Sequence, residues 1–252
     1  SYPPREELEI IYGEMLFSVI SEKDELSGQS KWRNDQECRR LAKTLLDLYD
    51  EVLKQFSPDD HRHYQFNPRN LTRLVAGLAR YDLEAIDLLD AFAYEAQRTF
   101  RDLLVDDQDR GSFDNILRRC MTHTWRHNLD SKNLYTTWFG TSQTNGDRKE
   151  PRSLPLMNSS YDDIVKFVEE KLFQYERECK ELNILLFPEV LHLMLKMDRA
   201  LSQPGGHLLL VGVSGVGRRS CVTMTAFILR MQIFSPSISR GYSMKEFEAF
   251  LK

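Results

Sequence analysis

The 252-residue sequence has no apolar run approaching the roughly 18 residues that a membrane-spanning helix needs. The longest runs, such as Leu208 to Val211, have the length of a buried strand, so no membrane partner is expected. Cysteine is scarce. The four present (Cys38, Cys120, Cys179 and Cys221) are widely spaced and form no CxxC pair. That argues against a disulfide framework and fits reduced thiols in a cytoplasmic protein. An excess of positive charge is missing too: 34 Lys and Arg against 38 Asp and Glu give a net charge of -4. Nucleic-acid binding needs concentrated cations, and here they are interleaved with carboxylates, so no nucleic-acid partner is expected. The opening SYPPREELEI lacks the apolar centre of a signal peptide, so secretion is not expected. No Ser-His-Asp or Cys-His arrangement stands out, and no catalytic residue is assigned.

What is present is a globular composition, 41% hydrophobic and 29% charged, enough for one or two domains. The first part reads as successive helices. Leu41, Leu45, Leu48, Val52 and Phe56 recur at spacings of three and four, and SPDD at 57 to 60 interrupts them. Asn67-Pro68 opens a second helix over about 69–80, where proline suits a first turn. A third is expected from about Leu83 to Val105, with Ile86, Leu89, Phe92, Ala96, Phe100 and Leu103 on one side. Residues 139–160, rich in Gly, Ser, Asn and Pro, read as a long exposed loop. Ser160 with Asp163 marks the next helix start, followed by Ile164, Phe167, Val168, Leu172 and Tyr175. Pro188 opens another, PEVLHLMLKMDRAL.

Beyond Gly205-Gly206 the pattern switches. HLLLVGV reads as a buried strand, SCVTMTAFILRM as a helix, and Gln232 to Phe234 as a second strand. Ser243 and Glu246 frame a capping box for a last helix. Two parallel strands cannot cover their own faces, so the polypeptide is expected to continue. The fold class expected is mostly α, a helical domain followed by the first strand, loop and helix of an α/β P-loop module. The divisions fall at 1–138, 139–160, 161–203 and 204–252.

Between that strand and helix lies Gly212-Val213-Ser214-Gly215-Val216-Gly217-Arg218-Arg219, then Ser220. Its order is that of a Walker A loop. Glycines let successive N–H groups turn inward, and the following helix adds its positive end, which together favour a phosphate. A glycine-rich turn that binds nothing is the bland alternative. Arg218 stands where the motif has Lys, and Arg219 where it has Ser or Thr. Arginine keeps the charge in a fixed fork. The lost hydroxyl is the Mg²⁺ ligand, so the loop is expected to bind ATP or ADP at most, without ligating Mg²⁺ or hydrolysing nucleotide. Ser220 is turned about 100° round the helix from the metal position. Hydrolysis also needs a Walker B carboxylate, and the one lookalike, Leu103 to Asp107, reads as a helix end.

GHLLLVGVSGVGRRS followed by FSPSISRGYSMKEFEAFLK resembles the start of the fourth AAA+ module of the dynein heavy chain family, in its intraflagellar-transport branch. YPPREELEIIYGEML, HYQFNPRNLTRLVAGLARYDLE, FAYEAQRTFRDLL and NILLFPEVLHLMLKMDRALSQPGG resemble the helical small domain of the third module and the approach to the fourth. The resemblance implies a parent that is an ATP-driven, minus-end-directed microtubule motor for retrograde transport in cilia. Its partners would be neighbouring AAA+ modules, dynein accessory chains and microtubules, its location the cytoplasm, cytoskeleton and cilium. It also implies a nucleotide-sensing arginine at Arg69 or, second, Arg73, and an adenine contact at Ile184, Leu185, Leu186 and Phe187. A surface arginine and ordinary core packing are the alternatives. Two rivals stay open for the whole: a helical scaffold with a relic loop, and a different P-loop switch such as a signalling ATPase.

Cys120, His123 and His127 have helical spacing, but no fourth zinc ligand lies nearby, and no metal site is assigned. His61 and His63 read as solvated, and Trp32, Trp125 and Trp138 as core anchors.

Overall fold

The computed structural model describes residues 3–24, 32, 34–83, 85–129, 133–139, 154–203, 205–213, 215–236 and 242–250. It divides into two compact units, Ser1–Tyr135 with Pro155–Ser160, and Thr136–Leu154 with Tyr161–Lys252.

The first unit is built on α1 (Arg5–Asp24), α2 (Asp35–Gln55), α3 (Pro68–Leu78), α4 (Leu88–Thr99) and α5 (Asp107–Trp125). The starts of α2, α3 and α4 are written locally. Asn34 accepts from the Gln36 amide at 3.0 Å, and Asp87 from the Leu89 amide at 2.8 Å. Asn67 and Asn70 form a reciprocal capping box around Pro68, so α3 begins where its sequence directs. The Asp87 cap also corrects the long helix expected from Leu83 to Val105. Leu83 and residues 85–87 stay outside it, and after Thr99 the chain tightens into a short 3₁₀ turn, Arg101–Leu103. The Leu103–Asp107 lookalike therefore spans the end of that turn and the start of α5.

Tyr12, Leu16 and Ile20 of α1 face the α2 stripe of Leu41, Leu45, Leu48 and Val52, and all are buried. Arg5 ties the two helices from outside, bonding both Asp47 and Asp50 of α2. Phe100 centres the aromatic core, with the rings of Tyr49, Phe66 and Phe113 at 6.5, 5.8 and 6.2 Å. Trp32 packs against Trp125 with its ring tilted by 48° at 5.3 Å, and the Arg40 guanidinium lies over Trp125 at 4.3 Å. A two-stranded sheet, β1 (Leu134–Thr136) and β2 (Met157–Ser159), lies inside or beside the stretch expected to be only loop. Just ahead of β2, buried Leu156 forms a parallel bridge to Tyr81. Residues 140–153 of that stretch lie outside the described ones.

The second unit holds α6 (Tyr161–Glu178), α7 (Pro188–Leu201), α8 (Arg218–Ile228) and α9 (Met244–Phe250). The bounds of α7 are those of PEVLHLMLKMDRAL, and α9 has its capping box, Ser243 N to Glu246 at 2.7 Å and Glu246 N to Ser243 at 3.4 Å. Fully buried Asp198 of α7 accepts from the Thr136 hydroxyl at 2.9 Å and from the Thr137 amide and hydroxyl at 2.9 and 2.5 Å. Those three donors satisfy a carboxylate that burial alone would penalise. Trp138, also fully buried, stacks on Phe167 at 6.0 Å.

The strands expected at HLLLVGV and at Gln232 to Phe234 are corrected. Both stretches are irregular backbone, with Leu209 87% and Phe234 72% exposed. A buried parallel strand is held by ladder partners on its flanks, and no described strand pairs with either stretch.

Two helical glycines give opposite expectations. A methyl on Gly77 in α3 runs into the Glu95 carboxylate, and that side chain is fully buried and bonded by the Tyr81 hydroxyl. Gly77→Ala is expected to destabilise the first unit by about 1–3 kcal/mol. Gly111→Ala in α5, where an added methyl meets nothing within 4 Å, is expected to stabilise it by about 0.5–1 kcal/mol. Urea denaturation of the two variants checks both signs.

Candidate functional site

Helix α8 begins at the end of the glycine-rich turn. Gly215 and Gly217 have φ of 89° and 74°, the left-handed region that a side chain makes costly. A Cβ on either meets nothing within 4 Å, so backbone conformation, not crowding, calls for glycine there. Gly217 is the N-cap residue and brings no side chain to bond the first amides of α8. The first closing bond of the helix is Cys221 N to Gly217 O at 2.9 Å. The amides of Arg218, Arg219 and Ser220 precede it and have no intrahelical acceptor.

Arg218 folds back over the turn. Its two terminal nitrogens donate to the carbonyls of Leu210 and Val213, at 3.5 and 3.1 Å. The fork thus closes the loop on itself, a bracing that a single ammonium does not reproduce with the same geometry. Arg219 is exposed and Ser220 half-buried. Gly212, Val213 and Val216 are exposed, and Ser214 lies outside the described residues.

The rest of α8 is anchored. Cys221, Met224, Thr225, Ala226 and Ile228 are buried. The ring of Phe227 meets Tyr175 of α6 edge-on at 5.1 Å, and Thr225 bonds the Met197 sulfur of α7 at 3.6 Å. A packed helix therefore carries an exposed, glycine-rich turn at its N-terminal end. The Cys221 thiol sits in the first helical turn, where the dipole favours a thiolate, yet burial pushes its pKa up.

The other sequence-derived positions are placed as follows. Ile184, Leu185, Leu186 and Phe187 form an irregular stretch entering α7, in the same unit as the loop. Leu185 and Phe187 are exposed by 69% and 56%, so they are not packed in a core. Arg69 and Arg73 are exposed, one turn apart on α3, in the first unit. Of the zinc-spaced set, α5 ends at Trp125, Arg126 turns left-handed at φ 54°, and His127 leaves the helical face to meet Asp90 at 2.7 Å. His61 is not simply solvated. It is half-buried, its ring 4.7 Å from that of Tyr64, and it lies beside Asp106 and Asp109. That grouping escaped the sequence reading because His61 lies 45 positions before Asp106 and shares no local pattern with it or with Asp109.

Two family descriptions match this chain. Residues 19–110 match the ATPase lid domain of dynein heavy chains, and residues 182–252 match the P-loop-containing dynein motor region D4. The chain belongs to the dynein heavy chain family. Over its whole length it is 39% identical to cytoplasmic dynein 2 heavy chain 1 of Rattus norvegicus and 38% identical to that of Chlamydomonas reinhardtii. The cytoplasmic dynein heavy chain of Neurospora crassa is 29% identical, again over the whole chain. The chain spans about 6% of the length of each of these relatives. The dynein lid match covers α2, α3 and α4, and the motor-region match covers α7, the glycine turn, α8 and α9.

Alkylation of the native dynein segment distinguishes its thiols. Cys179 is exposed, whereas burial, with Asp35 and Glu37 adding to it, pushes Cys38 up to about 11. A thiol reagent at pH 8 is expected to label Cys179 first and to leave Cys38 and Cys221 until the protein unfolds, as read by peptide mass spectrometry.

Proposed function

We propose that this chain is the part of a dynein motor ring that links the small domain of the third AAA+ module to the phosphate loop of the fourth. The carrying observation is the pair of left-handed glycines, Gly215 and Gly217, ahead of a helix whose first amides no side chain caps. Those amides, in residues 215–220, would hold the terminal phosphates of ATP or ADP, and Arg219 would add a cation beside them. When bound, the nucleotide supplies only negative charge for this cradle. With no hydroxyl at the Arg219 position, the side chain that would ligate Mg²⁺ is missing from the loop. The role is regulatory or structural, an occupied but non-hydrolysing ring site. Exposed Leu185 and Phe187 are suited to an adenine face, and Arg69, with Arg73 behind it, to sensing the third module's nucleotide.

The parent function that accords with the matched relatives is an ATP-driven, minus-end-directed microtubule motor for retrograde transport in cilia. Adjacent AAA+ modules, accessory chains and the microtubule are its partners, and it works in the cytoplasm and the cilium.

Counting nucleotide released from the denatured heavy chain by chromatography tests the cradle. Gly215→Val with Gly217→Val is expected to leave one nucleotide fewer per chain than the unaltered protein. An unchanged count assigns the loop to a relic turn. Arg219→Thr is expected to make nucleotide retention at this loop sensitive to EDTA, which the native loop is not.

A further inference from the structure

The first unit brings three metal-ligating side chains together from distant parts of the sequence. One nitrogen of His61 and one carboxylate oxygen each of Asp106 and Asp109 lie within 4.8 Å of one another. From these donors we infer a binding site for a zinc-class divalent cation, outside the phosphate loop and independent of the nucleotide proposal.

Three features set this group apart from an ordinary acidic helix start. Asp106 is the N-cap residue of α5, the place where a carboxylate normally accepts from the helix's own amides. It makes no such bond, and its oxygen lies 3.4 Å from His61 Nε2 instead. That spacing exceeds a good N–H···O hydrogen bond and lies within the ligand–ligand edge of about 3.3–3.6 Å that bond lengths of about 2.0–2.2 Å impose in a tetrahedral zinc site, an edge to which the other donor separations, within 4.8 Å, would contract on binding. The third donor is oriented from behind. Buried Tyr64 donates its hydroxyl to Asp109 Oδ2 at 2.7 Å and accepts from the Val105 amide at 3.0 Å. An outer partner fixing a ligating carboxylate is a recurrent part of metal sites. The Tyr64 ring also packs against the His61 ring at 4.7 Å, holding the imidazole beside the carboxylates.

The donor set selects the ion class. An imidazole with two carboxylates suits Zn²⁺, Co²⁺ or Ni²⁺, whereas Mg²⁺ and Ca²⁺ prefer oxygen alone. Three protein ligands leave one tetrahedral position for water. Binding the ion would pin the 57–66 turn, which carries His61, to the N-terminal end of α5. All three donors lie within the stretch matched to the dynein lid domain.

The test is a Zn²⁺ titration of the intact heavy chain with its nucleotide sites saturated by ADP and excess Mg²⁺, with Co²⁺ as the spectroscopic probe. His61→Gln, Asp106→Asn and Asp109→Asn are each expected to remove one Zn²⁺ per chain and the tetrahedral Co²⁺ absorption. Tyr64→Phe is expected to weaken that site about tenfold while keeping its stoichiometry. Asp107→Asn changes the same charge on the same helical turn, but that side chain is 98% exposed and pairs with Arg110. It is expected to leave binding unchanged. Equal stoichiometry in the three donor variants overturns the site. Equal weakening by Asp107→Asn and Asp106→Asn also overturns it, because the ion then responds only to diffuse negative charge.

Discussion

The uncapped first turn of α8 is the constraint on which the phosphate loop depends. A helix that starts with glycine in place of Ser, Thr, Asp or Asn leaves its first amides without a side-chain acceptor. Those amides need water or an anion. Left-handed backbone at Gly215 and Gly217 keeps the approach clear of Cβ atoms, and the packed face of α8 against α6 and α7 keeps the helix end in place. The turn is thus held from behind, by Met224, Thr225 and Phe227, and across itself by the Arg218 bonds to Leu210 and Val213.

Against that cradle, the two arginines change the chemistry without removing the charge. Arg218 is engaged with backbone carbonyls of its own loop, which a planar fork does well. Arg219 replaces the group that would hold Mg²⁺, so positive charge stands where a metal ligand is required. In the proposed reading, a loop altered in this way keeps the attraction for phosphate and lacks the hydroxyl that would ligate Mg²⁺.

Much of the helical framework was legible because its instructions are local. Asn67, Pro68 and Asn70 place the start of α3, and Pro188 places α7, each through bonds among residues a few positions apart. The stripe of α2 shows in the sequence because one face alone is buried. Local signals failed where tertiary partners decide. Asp87 and the tightening after Thr99 divided a continuous apolar pattern that periodicity alone read as one helix. The strands at Leu134–Thr136 and Met157–Ser159 are three residues each, too short for alternation to register. HLLLVGV has a strand's composition and no strand partner among the described residues, so composition misled. Of the loop, the glycine spacing and both arginines were readable. The Arg218 bonds to Leu210 and Val213 were not, since side-chain direction is absent from a one-dimensional pattern. The His61, Asp106 and Asp109 grouping was invisible for the same reason.

The most direct measurement is amide hydrogen exchange, read by mass spectrometry, across residues 205–228 of the intact dynein heavy chain with and without ADP. Phosphate held by the turn predicts slowed exchange confined to about 215–220, with the buried half of α8 unchanged. Exchange at those amides that is identical in the presence and absence of nucleotide contradicts the cradle and leaves the glycine turn with a purely structural role.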